Sequence, residues 1–278
     1  MSLQTSGRIK LSEIASEFGG SGPHKLSEYY RGGSNVKDAG LNTNAGIPTS
    51  GTIKIKNFYN SGNPYLTELN GGEAYGTSGN FDVTVTLDTT NRGIHTNIII
   101  LYLGNSANQG SSITFSIAGH TVVENVQRLN NVSDDGSGCG MFTAAVGDVS
   151  SITITSTGGV SGKGMYVLQY DNVLNLTGTR DADTPAEGST SIDLNFGKAT
   201  FAAALWANAF SDDYYSNTFG DITSSGGETV TQKNLAVKTV GYLTKYDSST
   251  NFDRTFTVGG SPRRSYAPRS IAGATVNI

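Results

Sequence analysis

The chain has 278 residues, a formal charge of −4 and only 15% charged residues, against roughly 25% in ordinary soluble domains. Its 36 glycines alternate with Ser, Thr, Asn and β-branched residues, the composition of an all-β protein with many short strands. The acidic balance and scattered basic residues argue against a nucleic-acid partner. No run approaches the roughly 18 apolar residues of a membrane span, and Met1 to Arg8 lacks the apolar stretch of a signal peptide.

Charge is uneven along the chain. Residues 1–64 carry seven Lys/Arg and four Asp/Glu, a net of +3, whereas residues 65–278 carry twelve and nineteen, a net of −7. The basic segment writes one phrase three times. Gly7-Arg8-Ile9-Lys10-Leu11-Ser12-Glu13-Ile14 returns as Gly51-Thr52-Ile53-Lys54-Ile55-Lys56-Asn57-Phe58-Tyr59, with a half copy at Lys25-Leu26-Ser27-Glu28-Tyr29-Tyr30. Ser12 is the expected N-cap of a short helix over Glu13 to Phe18, stopped by Gly19-Gly20. Ser27 is the expected cap of a single turn, and residues 34–50 read as an extended linker. The apolar set of this arm is sparse: Ile9, Leu11, Ile14, Phe18, Leu26, Tyr29, Tyr30, Ile53, Ile55, Phe58 and Tyr59. Such a set is small against the entropy of ordering about sixty residues, so these residues are expected to dock onto a partner surface or onto the chain's own β domains.

Downstream the pattern runs twice through one cycle. Phe81, Val83, Val85 and Leu87 alternate, as do Ile192, Leu194 and Phe196. The continuous apolar run 98–103 corresponds to 201–206, Gly119–Val122 to Gly227–Val230, Gly140–Thr143 to Gly241–Thr244, and Thr153–Thr155 to Thr255–Thr257. The shared order predicts two tandem antiparallel β-sandwich domains of jelly-roll or Ig-like type, over 65–174 and 175–278, behind an arm over 1–64 with short helices. A single larger sandwich made from both halves is the alternative.

Groups able to do chemistry are scarce. His24, His95 and His120 are too dispersed for a metal set, and no Gly-x-Ser-x-Gly elbow is present. Gly158–Gly164 lacks the first Gly and the final Ser/Thr of a phosphate loop and reads as a β-turn. Asp134-Asp135 and Asp212-Asp213 lack the alternating ladder of a calcium loop and read as solvated carboxylates. The single Cys139 forms no intrachain disulfide and has no adjacent activating His. The expectation is a non-enzymatic protein with no catalytic residue, cofactor or metal. Tyr214 and Tyr215, beside two aspartates, are the candidate contacts for a glycan.

The arm carries a resemblance. Gly7–Gly20, then Leu26–Gly33, then Ile47–Ile53, resemble in order and wording an N-terminal module of structural proteins of tailed bacteriophages, marine ones especially. The likeness covers about residues 5–60; relatives often carry Val-Pro where this chain has Val36-Lys37. It implies an anchor joined to a variable β-rich body in a tail fibre, baseplate, adaptor or other minor virion protein. The same resemblance implies a virion location after assembly in the host cytoplasm, with other virion proteins and copies of itself as partners. Alternatives are a receptor-recognition module that binds host surface polysaccharide, or a capsid decoration protein.

Overall fold

The computed structural model describes residues 3–36, 43–74, 81–89, 95–106, 111–132, 135–159, 162–173, 176, 179–185, 189–207, 221–235, 238–259 and 270–277. It is an all-β fold of antiparallel sheets, preceded, among the described residues, by one α-helix and three 3-10 turns. The first half contains β1 (Tyr65–Ala74), β2 (Phe81–Thr86), β3 (Thr96–Ser106), β4 (Ser111–Ile117), β5 (Val122–Val132), β6 (Asp135–Ala145), β7 (Ser151–Gly159) and β8 (Gly162–Asp171). These make a five-stranded sheet in the order β1-β8-β3-β6-β5 and a three-stranded sheet in the order β2-β7-β4.

The second half contains β9 (Thr179–Asp183), β10 (Ser191–Ala207), β11 (Ile222–Ser224), β12 (Thr231–Leu235), β13 (Lys238–Val258) and β14 (Ser270–Asn277). It forms one hydrogen-bonded sheet, but β10 and β13 each serve two regions of it. Residues 199–207 of β10 pair with 238–246 of β13, and 200–207 pair with β14, whereas 191–197 pair with 251–257. The ladder shifts register between Gly197 and Ala199. Side chains from both ends of β10, Ile192, Leu194 and Phe196 as well as Ala202, Ala204 and Trp206, enter one core with Ile222, Leu243 and Phe256. The sheet therefore bends at the register shift and closes on its own inner face.

Divided at that bend, the second half repeats the first. Its larger part runs β9-β14-β10-β13-β12, and its smaller part is β10-β13-β11. Strand for strand this is the order β1-β8-β3-β6-β5 and β2-β7-β4. The register agrees as well: Gly140 faces Tyr102 and Gly241 faces Ala204. Val83 faces Ile154 as Ile192 faces Phe256. The sequence correspondences between the halves fall on equivalent strands, so the repeat is one of fold. Gly140 and Gly241 share a reason for being glycine. A Cβ would lie 2.8 Å from the Val126 carbonyl oxygen at the first and 2.7 Å from Val230 Cγ1 at the second.

The continuous apolar strands are explained by cores on both of their faces. Ile98, Ile100 and Tyr102 point between the sheets of the first half, with Val85, Ile113, Ile154 and Val167. The alternate residues Ile99, Leu101 and Leu103 point the other way. They meet Phe201, Ala203, Leu205, Val240, Tyr242, Ala274 and Val276 of the second half, in the most populous core of the described residues. Cys139 is fully buried there, and burial pushes its thiol pKa well above the ordinary range.

At the rim of that shared core Glu68 of β1 accepts a hydrogen bond from the Tyr242 hydroxyl and pairs with Lys233 Nζ at 2.7 Å. Partial burial alone pushes the Glu68 carboxyl up. The hydrogen bonds from Lys233 and Tyr242, with the lysine charge, outweigh it and hold the carboxyl below its usual range. A folded-state pKa below the unfolded one gives stability that is present above about pH 4.3 and is lost as pH falls through the folded value. Tyr242→Phe is expected to cost about 1–2 kcal/mol at neutral pH and to flatten that acid limb, as read by urea midpoints across pH 3 to 7.

Candidate functional site

The arm is three copies of one local device. Helix α1 (Leu11–Phe18) and the 3-10 turns Leu26–Glu28 and Ile55–Phe58 each begin on a Leu or Ile preceded by an extended lysine cap: Lys10, Lys25 and Lys54. The third residue of each turn returns its backbone N–H to the lysine carbonyl, Glu13 to Lys10 at 3.0 Å, Glu28 to Lys25 at 3.0 Å and Asn57 to Lys54 at 2.9 Å. Two of these residues also accept from the cap backbone through their side chains, Lys10 N to Glu13 Oε2 at 2.7 Å and Lys54 N to Asn57 Oδ1 at 2.8 Å. The serine caps expected from sequence are therefore wrong. Ser12 and Ser27 lie inside their turns, each two residues after the observed lysine cap, and in the first turn the Glu13 side chain supplies the reciprocal half of a capping box to Lys10.

The residue before each cap and the residue five further on form a staple. The pairs are Ile9 with Ile14, His24 with Tyr29, and Ile53 with Phe58. The first and third pairs share a cluster with Leu3, Phe18, Tyr29, Val36 and Ile47. In the second pair the rings lie 6.3 Å apart and Tyr29 Oη is 2.9 Å from His24 Nδ1. Ile14, Tyr29 and Phe58 are each 0% exposed. Phe58 sits at the centre, with ring centroids 6.1 Å from Phe18 and 6.3 Å from Tyr29.

Tyrosine hydroxyls tie the copies to one another. Tyr29 donates to the Gly19 carbonyl at 3.0 Å, Tyr30 to that of Gly51, and Tyr59 to that of Gly7. Gly7 and Gly51 open the first and third copies with φ of +94° and +80°, a left-handed backbone that only glycine adopts at no cost.

This arrangement corrects the docking assignment of the apolar set. Ile9, Ile14, Phe18, Tyr29 and Phe58 are buried inside the arm and shape it. Leu11, Leu26, Ile53, Ile55 and Tyr59 pack half-buried against that cluster. Tyr30 is half-buried, with its hydroxyl used internally. Nor is the stretch over 34–50 wholly a linker. Val36 and Ile47 are 0% exposed, and Thr43–Gly46 is a 3-10 turn. The sparse set suffices because three equivalent turns aim their fourth residues at one point and Leu3, Val36 and Ile47 close the gaps. Periodicity in any one copy gives no sign of that convergence.

The arm meets the body at a joint of polar groups. Leu3 N bonds Ser61 O at 2.7 Å and Asn60 N bonds Gln4 O at 3.2 Å, clamping the two ends of the arm together. Asn63 N donates to Glu17 Oε1 at 2.9 Å, and Asn63 O accepts from Asn172 Nδ2 at 2.8 Å. Asn172 follows β8 in a left-handed conformation, φ 61°, which Asn tolerates, and its N–H bonds His95 O at 2.9 Å. Glu17 and Asn172 thus hold the chain at its exit from the arm, a role with no signal in the sequence. Gly62 fits because it lacks a side chain. A Cβ would lie 2.8 Å from Asn172 Nδ2 and 3.0 Å from Glu17 Oε1. Gly62→Ala is expected to break both contacts to Asn63 and to cost about 1–2 kcal/mol, seen as faster amide exchange in the arm with the body unchanged.

The other sequence candidates are distributed. His24 belongs to the arm, and His120 Nδ1 lies 3.2 Å from the Ala145 carbonyl oxygen at a strand end. His95, at the start of β3, has its pKa lowered by burial. Among the described residues no group of three His, Cys, Asp or Glu side chains is placed to hold a metal ion, and no helix is long and apolar enough to cross a membrane. Tyr214, Tyr215, Asp134, Asp212 and Asp213 lie outside the described residues, as does the side chain of Asp135. The chain is thus a duplicated β-sandwich body bearing a separately packed, internally repeated arm. No family model, curated protein or solved structure matches the chain.

Proposed function

We propose that this chain is a non-enzymatic structural component of a tailed-phage particle, attached through residues 1–64, with its β body projecting from or bracing neighbouring subunits. The observation that carries the reading is the arm itself. The residues that resemble a phage anchoring module are the same residues that build one miniature core, tied by tyrosine hydroxyls and joined to the body at a polar joint. A unit with its own core presents a defined surface before it meets a partner, which lowers the ordering cost of docking. With Ile14, Tyr29 and Phe58 turned inward, docking falls to the outer side: the exposed Arg8, Lys10, Lys25, Lys54 and Lys56 and the half-buried rims of Leu11, Leu26 and Ile55. That surface suits an acidic neighbour.

The test is incorporation. Chain lacking residues 1–60 is expected to keep a folded body, since among the described residues none of the body's core clusters contains an arm residue, and to be absent from purified particles. Normal incorporation of the truncated chain would refute the anchor.

A further inference from the structure

We infer that the face formed by Ile99, Leu101, Leu103, Met141, Leu168 and Tyr170 is a self-recognition surface whose partner is a second sandwich of the same kind, so that the body is a dimer held within one chain. The two halves meet through equivalent faces. Ile99, Leu101 and Leu103 of β3 correspond by ladder register to Phe201, Ala203 and Leu205 of β10, and Cys139 and Met141 of β6 to Val240 and Tyr242 of β13. All ten lie in the shared core.

The way these faces meet is reciprocal at two places, although among the described residues β14 reaches onto β5 and β6 while its counterpart β8 makes no matching approach to β12 and β13. In a twofold arrangement a contact from element i of one copy to element j of the other is matched by one from j to i. Strand β5 of the first half touches β9 of the second, where Asn125 Nδ2 and Thr179 Oγ1 are 3.2 Å apart. The equivalents of β5 and β9 are β12 and β1, and these are joined by Lys233 and Glu68 at 2.7 Å. Strand β6 touches β10, and its counterpart β13 touches β3. A head-to-tail stacking of two sandwiches would produce neither reciprocal pair. Each half also keeps a second core of its own, around Ile100 and Ile154 in one and Trp206 and Phe256 in the other. The shared face is therefore additional to what closes each sandwich.

The surface is apolar at its centre and polar at its rim, as in obligate homodimers. The two polar rim contacts differ, a Lys–Glu pair on one side and an Asn–Thr pair on the other. A cis partner is thereby distinguished from a copy of the same half. The inference is independent of the virion reading.

The experiment uses the full chain with a protease site inserted between Thr177 and Gly178. After cleavage the nicked protein is expected to elute as one particle of unchanged mass. Its halves should then be separated in mild denaturant, refolded apart and examined by native mass spectrometry. Homodimers of either half, displaced by the complementary half when mixed, are the expected result. Leu101→Glu in the first half should abolish its homodimer while amide protection at Ile152 and Ile154, on the far side of the sandwich, persists. If the separated halves fail to refold, stay monomeric at tens of micromolar, or pair only with each other, the self-recognition surface is disproved. Particle incorporation is not read in this experiment, so its failure leaves the anchor untouched.

Discussion

Phe58→Ala is expected to melt the arm and leave the β body folded. Phe58 is 0% exposed and touches the aromatic members of the other two repeats through Phe18 and Tyr29. Truncating a buried Phe costs about 3–5 kcal/mol. A module of about sixty residues has a margin of roughly the same size, so the loss is comparable to everything that holds the arm. The body does not share it, because among the described residues the arm's cluster contains none beyond Tyr59. Peptide-resolved hydrogen exchange should show residues 3–60 exchanging near the rate of an unfolded chain, with β3, β6 and β10 protected as in the parent. Particle incorporation should fall in step with arm protection. Loss of protection in the body as well would mean that arm and body fold as one unit.

The second large effect is expected at Phe201. It is 0% exposed in the shared core and stacks on Tyr242 with centroids 6.0 Å apart and planes at 28°. Phe201→Ala is expected to cost about 3–5 kcal/mol, a large fraction of the roughly 5–15 kcal/mol typical of a domain. The loss should be felt in both halves, since Phe201 belongs to the second while Ile99, Leu101 and Leu168 of the same cluster belong to the first. One cooperative urea transition, shifted to lower denaturant and coincident for probes in either half, is the expected reading. Two separated transitions would show that the sandwiches unfold independently.

Much of the body is legible in the sequence, for a definite reason. A strand with one buried face alternates, as Val83 and Val85 do, while a strand between two cores is apolar throughout, as residues 98–103 are. Because the second half repeats the first, each weak pattern appears twice, and the shared order identifies equivalent strands. The sequence does not show that β10 and β13 run unbroken through the bend where the first half uses separate strands. Both solutions have the same alternation on either side of the turn.

The arm is less legible. Its repetition is visible, but the spacing of its apolar residues points to the surface of a partner and not to a core of their own. Ser12 outweighs Lys10 as a cap on intrinsic preference, which favours serine, whereas the Glu13 side chain, three residues on, makes the lysine cap workable. Of the joint nothing is visible, since Asn172 lies far along the chain from Asn63 and neither carries a motif.

The class of fold, the duplication of the body and the repetition of the arm are all written in local period and spacing. Which way the side chains face is set by packing between segments far apart in the chain. Three turns, each too small to bury anything alone, converge Ile14, Tyr29 and Phe58 on one point, and two sandwiches use equivalent outer faces as each other's partner. Burial is a property of what lies opposite a residue, and that neighbour is brought by chain segments too distant for any local pattern to record.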